Sequence, residues 1–301
     1  MSENEIKMHK ELLELLEKRY KEGEIDENSY NELKKRYEKK LEYAQANFEE
    51  LRRAPQIKVS GSQTLTPDSL SVSGSAKRPG GKMMRDIRIA GSGKIDGDIE
   101  CKSIKCAGAV KSTGSITAHG IVKTAGSFKC EDFLHTDEDA SFSGSAKVVG
   151  EILVQGHLKA SGSFKCEDNV QAINGVTLSG ASTIEGNLVS QKTIDITGKS
   201  TISGDVVGEN VYFKSKRFAF EIRLFRRREL STVDGNIFAQ NEVEIEDIYV
   251  ERDVKGKVVK LGPNTKIHGT VYYVEDLLIA DASDVRLENK PVKITEEALK
   301  L

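Results

Sequence analysis

Tryptophan is absent from these 301 residues, and only four cysteines occur. Cys101, Cys106, Cys130 and Cys166 form no CxxC pair, which argues against a zinc site and against a disulfide framework. No run approaches the roughly 20 apolar residues that a spanning helix needs. The first residues lack the cationic start, apolar stretch and small-residue cleavage site of a secretory signal, so a cytoplasmic setting is expected. Charge of one sign is missing too: 45 Lys and Arg against 47 Asp and Glu leave a net charge of −2, so any case for a nucleic-acid or membrane partner must be local. Apolar residues make up 38% of the chain, enough for a substantial core and a soluble, folded protein.

What the sequence has instead is a period. Glycine recurs at Gly108, Gly126, Gly144, Gly162, Gly180 and Gly198, always eighteen residues apart, with Gly91 one residue early. A second column six residues downstream reads Gly97, Gly114, Asp132, Gly150, Asp168, Gly186 and Gly204. A fixed period of this kind marks one supersecondary unit per repeat, which buries its apolar face only by stacking on copies of itself. Four residues before the first column stand Ile87, Ile104, Val122, Ala140, Leu158, Val176 and Ile194, and two before it stand Ile89, Cys106, Thr124, Phe142, Ala160, Leu178 and Ile196. Alternation of this kind belongs to strands. Three six-residue stretches per repeat predict a mainly β fold, a three-faced parallel β-helix with coils about 4.8 Å apart and inward columns stacked as apolar ladders.

The chain divides into three parts. Residues 1–53 predict an α-helical hairpin: Met8, Leu12, Leu15 or Leu16, and Arg19 or Tyr20 share one helical face, Gly23 breaks the run, and Asp26 is placed to cap a second helix. In that second helix Tyr30, Leu33, Tyr37, Leu41, Ala44, Phe48 and Leu51 cover 21 residues in six steps, a spacing of 3.5 that suits a coiled-coil seam with a partner helix or packing within the hairpin. This part carries 12 basic and 14 acidic residues, which makes a nucleic-acid partner unlikely for it. Residues 54–294 form the rod, starting at the phrase Ile57-x-Val59-x-Gly61 with a short, irregular first coil and running for about twelve coils. Two insertions are expected, at about 214–231 and 248–264, and residues 295–301 remain as a tail.

Candidate chemistry is sparse. His119, His135 and His157 lie at or beside turns, where a hexapeptide-type acyltransferase would place its base, but no carboxylate at a regular offset is expected to orient them. Asp132 and Asp168 read as turn formers rather than as a catalytic carboxylate pair. Cys130 and Cys166 share an inward column with Val148 between them, about 9.6 Å apart and beyond disulfide reach. No catalytic, cofactor or metal residue is assigned, and no small-molecule substrate is expected. The one strong charge anomaly is Lys214, Lys216, Arg217, Arg223, Arg226, Arg227 and Arg228, seven cations against Glu221 and interleaved with three phenylalanines. This patch is a candidate contact for an anionic membrane surface or an acidic protein, or else the solvated side of a hairpin lying on the rod.

The phrases Lys94-Ile95-Asp96-Gly97-Asp98-Ile99, Thr201-Ile202-Ser203-Gly204-Asp205-Val206 and Lys266-Ile267-His268-Gly269-Thr270-Val271 resemble those of the bactofilin family of polymer-forming cytoskeletal proteins, over roughly residues 57–294. That resemblance implies a right-handed three-faced β-helix that joins end to end into filaments without nucleotide and scaffolds other proteins, often at a membrane. The segment from Leu15 through Leu41 is similar to the two-helix SHOCT module, which implies a role in oligomerisation. The N-terminal helices and the two insertions depart from the plain bactofilin pattern. Physics points the same way, because an open β-helix ends in unpaired strand edges that template another chain unless capped. The last coil, with Leu277, Ile279, Val285, Leu287, Val292 and Ile294, reaches almost to the C-terminus and is the candidate self-association surface. The expected function is a non-enzymatic, self-associating cytoskeletal scaffold. The alternatives are a non-polymerising adaptor that binds an anionic partner and, third, an acyltransferase.

Overall fold

The computed structural model describes residues 3–53, 58–66, 69–214, 230–280 and 284–299. Two helices, α1 (Glu3–Lys21) and α2 (Glu27–Arg53), precede a β-solenoid of about ten turns. Gly23, at φ +76°, ends α1, and Asp26 caps α2 by accepting from the Ser29 N–H at 2.9 Å and the Ser29 hydroxyl at 2.6 Å. These bonds favour the charged form and hold the Asp26 carboxyl below its usual range. The Tyr20 and Tyr30 rings stack 4.2 Å apart across the hairpin. Leu12, Leu16 and Tyr20 line the packed face of α1, one of the two expected spacings, whereas Met8 and Leu15 are exposed. On α2, Ala44 is buried, and Tyr30, Leu33, Tyr37, Leu41 and Phe48 are half-buried; the Leu51 side chain lies outside the described set.

The coil that begins at Val122 illustrates how the period folds. The strand Val122–Cys130 turns its alternate residues Val122, Thr124, Phe128 and Cys130 inward, bends at Gly126 between the two pairs, and is followed by Leu134–Thr136, again with both ends buried. Six inward positions per turn therefore come in three pairs, one pair to a face. Neighbouring turns match in register: Val122 pairs with Ala140, Ala140 with Leu158, and Leu158 with Val176, all in parallel. Every inward residue thus sits on its counterpart one repeat away, and strand donors find acceptors in the next turn, as in Leu134 N–H to the Glu151 carbonyl at 2.9 Å.

The glycine column is the inner corner between the first two faces. Gly91, Gly108, Gly126, Gly144, Gly162, Gly180 and Gly198 all have φ between +110° and +133°, a left-handed region that disfavours a side chain. Each also lies so near the preceding glycine that an added Cβ would stand 2.1–2.4 Å from that residue's carbonyl oxygen. In the second column only Gly97 has a positive φ; Gly114, Gly150, Gly186 and Gly204 are instead tight against the preceding turn. Asp132 and Asp168 close the same corner by accepting the N–H of the next residue at 2.9 and 2.7 Å.

Two expectations change, and the coil count changes with them. The phrase near Ile57 is not a first coil: β1 (Lys58–Leu65) runs antiparallel to the start of β2 (Ser69–Ser112), with Gly61 opposite Gly74. Two glycine-containing phrases so close in sequence fold as a hairpin, which is one reason that twelve coils overcounts the stack. The second insertion, at 248–264, does not exist. Ser231 pairs with Ile248 and Ile248 with Thr265, a regular coil of seventeen residues. Its corner is turned by Asp247 and Asn264, both left-handed at φ 52° and 55° and joined by an Asn264 Nδ2 to Asp247 Oδ1 bond of 2.7 Å. The first insertion stands in the register, since Thr201 pairs with Thr232, 31 residues on, where Thr183 pairs with Thr201, eighteen on. It leaves at the glycine corner, between Lys214 and Ser231.

The rod ends in a short helix, α3 (Glu296–Leu299), which packs Leu299 against the flank of strand Val254–Leu261. No helix among the described residues is long and apolar enough to cross a membrane.

Candidate functional site

The C-terminal coil is built by the same alternation as the others, and among the described residues no further turn stacks on it. Strand Val271–Ile279 continues the inward column Ile245, Leu261, Ile279. Ile245 is fully buried and Leu261 is 2% exposed, whereas Ile279 is 42% exposed. Leu277, Val285 and Leu287 are half-buried against the core. Strands Val285–Leu287 and Val292–Lys293 each pair on one side only, with Thr265–Ile267 and with Val271–Ile279. Val292 pairs with the outward Tyr272 and is exposed, so it is not an inward residue of this coil. Leu278 adds a further exposed apolar side chain. One rod end therefore offers unpaired backbone and uncovered aliphatic side chains together, the two features that recruit another strand edge.

The basic patch falls almost wholly outside the described residues: Lys216, Arg217, Arg223, Arg226, Arg227 and Arg228 lie there. Lys214 ends its strand with Nζ 4.4 Å over the Tyr212 ring and 3.9 Å from Glu244.

Two charge patterns escaped the sequence reading. On the second face Lys111, Lys129, Lys147 and Lys165 form an outward ladder interleaved with carboxylates: Glu131 lies 2.8 Å from Lys111 and 3.0 Å from Lys129, and Glu167 bridges Lys147 and Lys165 at 2.7 and 3.0 Å. Lys111 and then Lys129 hold the Glu131 carboxyl down to about 2. On the first face Lys105 and Lys123 have no carboxylate partner among the described residues. With Arg88 they line an open groove of about 470 Å³ whose walls include Ser62, Ser71 and Cys106.

The histidines also differ from expectation, since carboxylates do stand at regular offsets. His119 lies between Glu100, 2.9 Å from Nε2, and Asp137, 2.8 Å from Nδ1. His135 is 3.4 Å from Asp137, and His157 instead meets Thr177 at 2.9 Å. The signal was present: Asp137 follows His119 by one period, and Glu100 precedes it by one period and a residue. Both ring nitrogens of His119 are taken, so the group is a clamp across three coils rather than a base with a free nitrogen. The bond to Glu100, and then that to Asp137, raise the His119 pKa. Stabilisation from a raised pKa is fully present below the unfolded value near ~6.5 and is lost as pH rises through the folded value. NMR titration should therefore place the His119 midpoint above ~6.5, and Glu100→Gln should move it down.

All four cysteines are free and buried. Cys130 pairs with Val148 and Val148 with Cys166, as the column required, and burial pushes both thiols up to about 11. Iodoacetamide at pH 8 should leave Cys130 and Cys166 unmodified in folded protein and alkylate them once it is unfolded, as read by peptide mass spectrometry. Among the described residues no cluster of His, Cys, Asp or Glu is placed to hold a metal ion. No family model matches the chain, and no curated protein or solved structure matches it either.

Proposed function

We propose that this chain is a non-enzymatic structural protein, a bactofilin-like cytoplasmic scaffold whose copies join end to end without nucleotide. The β-helix is read as right-handed, as the resemblance implies, and the two N-terminal helices as a SHOCT-like oligomerisation module. The observation that carries the proposal is the C-terminal coil, where the Ile245, Leu261, Ile279 column passes from buried to 42% exposed within two turns. Burying one such aliphatic side chain is worth about 1.5–3 kcal/mol, and a coil presents several at once beside unpaired strand edges. Negative-stain microscopy of purified protein without nucleotide tests this. At about 4.8 Å per turn, ten turns make a rod of roughly 48 Å. Particles whose length is two or more rods are expected, and single rods at every protein concentration would rule the reading out.

A second reading, an adaptor for an anionic partner, draws on the groove with Arg88, Lys105 and Lys123 and on the arginine-rich insertion. Sedimentation with vesicles containing phosphatidylserine distinguishes it, since a pure scaffold stays in the supernatant at all salt concentrations.

A further inference from the structure

The two ends of the rod are built differently. At the C-terminal end the inward side chains lie open to solvent, with Ile279 42% exposed. At the N-terminal end the inward residues Leu70, Val72 and Met83 are 2%, 3% and 0% exposed, although no coil precedes them among the described residues. Something else covers them. β1 runs antiparallel along Leu70–Lys77, with Gly61 opposite Gly74 and Gln63 opposite the inward Val72, and its residues Ser60 to Thr64 are exposed on the far side of the pair. α2 packs against β2 and is tied there by Lys82, which contacts Glu42 of the helix and Glu100 of the next turn at 3.0 Å.

The core at this end is also polar. Arg78 and Arg85 are only 8% and 2% exposed, and Arg78 donates to the Pro79 carbonyl at 3.0 Å while a second nitrogen lies 3.3 Å from the Met83 sulfur. The outer strand of this end, β1, is exposed and polar from Ser60 to Thr64, without the aliphatic side chains that the other end leaves uncovered.

We infer that β1 and α2 seal the N-terminal end, so that the full chain associates through its C-terminal coil alone and its partner there is a second copy of the same coil. This rests on the self-association proposed above and fixes its extent. A molecule with one adhesive end forms an isologous pair related by a twofold axis, and the pair is closed because neither free end can add another chain. Growth beyond two chains then requires displacement of the seal.

Two measurements on the full chain test this together. Light scattering across a concentration series gives the mass, which should level off at twice the 33.1 kDa chain. Spin labels on Lys290→Cys and, separately, on Ser62→Cys report which ends meet; both positions are exposed, and the four native cysteines are buried. The Lys290→Cys sample should show a defined distance between chains within ~40 Å, while the Ser62→Cys labels, about two rod lengths apart, should show none. Masses that keep rising past two chains, or a defined Ser62→Cys distance, would overturn the seal while leaving self-association intact. A single-chain mass at every concentration would remove both.

Discussion

Replacing Gly126 with alanine is expected to destabilise the rod by at least about 2 kcal/mol, a loss read from the midpoint of urea unfolding. Two effects act together. At φ +127° an L side chain is strained, and the added Cβ would stand 2.2 Å from the Gly108 carbonyl oxygen, a backbone atom held by its own ladder. Neither chain can move away without breaking register with the turns above and below. Gly97→Ala separates the two effects, because Gly97 has φ +90° but nothing within 4 Å of the added carbon. Only the strain, about 1 kcal/mol, should be lost there. Equal losses at the two positions would mean that the close stacking of the column contributes nothing.

Phe142→Ala should cost about 3–5 kcal/mol, the range for emptying a well-packed aromatic site. Phe128, Ala146 and Phe164 follow one another in a single inward column, so that alanine leaves a gap between two rings. Phe142, from the adjacent face, fills it, with ring centroids 5.3 Å from Phe128 and 6.0 Å from Phe164. Its removal opens a void against both neighbours, which are 1% and 3% exposed and have no room to collapse outward. Ala146→Phe is the complementary test: it places a third ring in occupied space and should destabilise by about 1–3 kcal/mol. If Ala146→Phe rescued Phe142→Ala, the loss would be one of volume alone.

The legible part of this fold is the part in which every turn repeats the same solution. From Gly91 to Gly198 a single residue type marks one corner, and alternation around it shows what points inward. Between Ser231 and Thr265 the corner passes to Asp247 and Asn264, residues that also tolerate the left-handed region, and a search by glycine reads that regular coil as an insertion. The phrases around Gly61 and Gly74 failed for the opposite reason. They carry the right letters, but the chain between them is only long enough for a hairpin. At the C-terminal coil the inward column was legible from the alternation of Leu277, Ile279, Val285 and Leu287. That the helical hairpin could cover the first coil was a sequence expectation, but the contact that brings it there was not legible, since it joins Lys82 to Glu42, forty residues apart and off the period. Cross-coil clamps such as His119 with Glu100 and Asp137 lie between these cases, visible once the columns are written side by side.

Sedimentation equilibrium of the wild-type chain beside Ile279→Lys tests most directly whether the open C-terminal coil makes the assembly. Ile279 is 42% exposed, so the substitution should leave the melting temperature nearly unchanged, while a joint between two such coils would bring two ammonium groups into a desolvated contact. The wild type should rise above its 33.1 kDa chain mass with concentration, and Ile279→Lys should remain at the mass of one chain throughout. Association of Ile279→Lys as tight as that of the wild type would contradict the account.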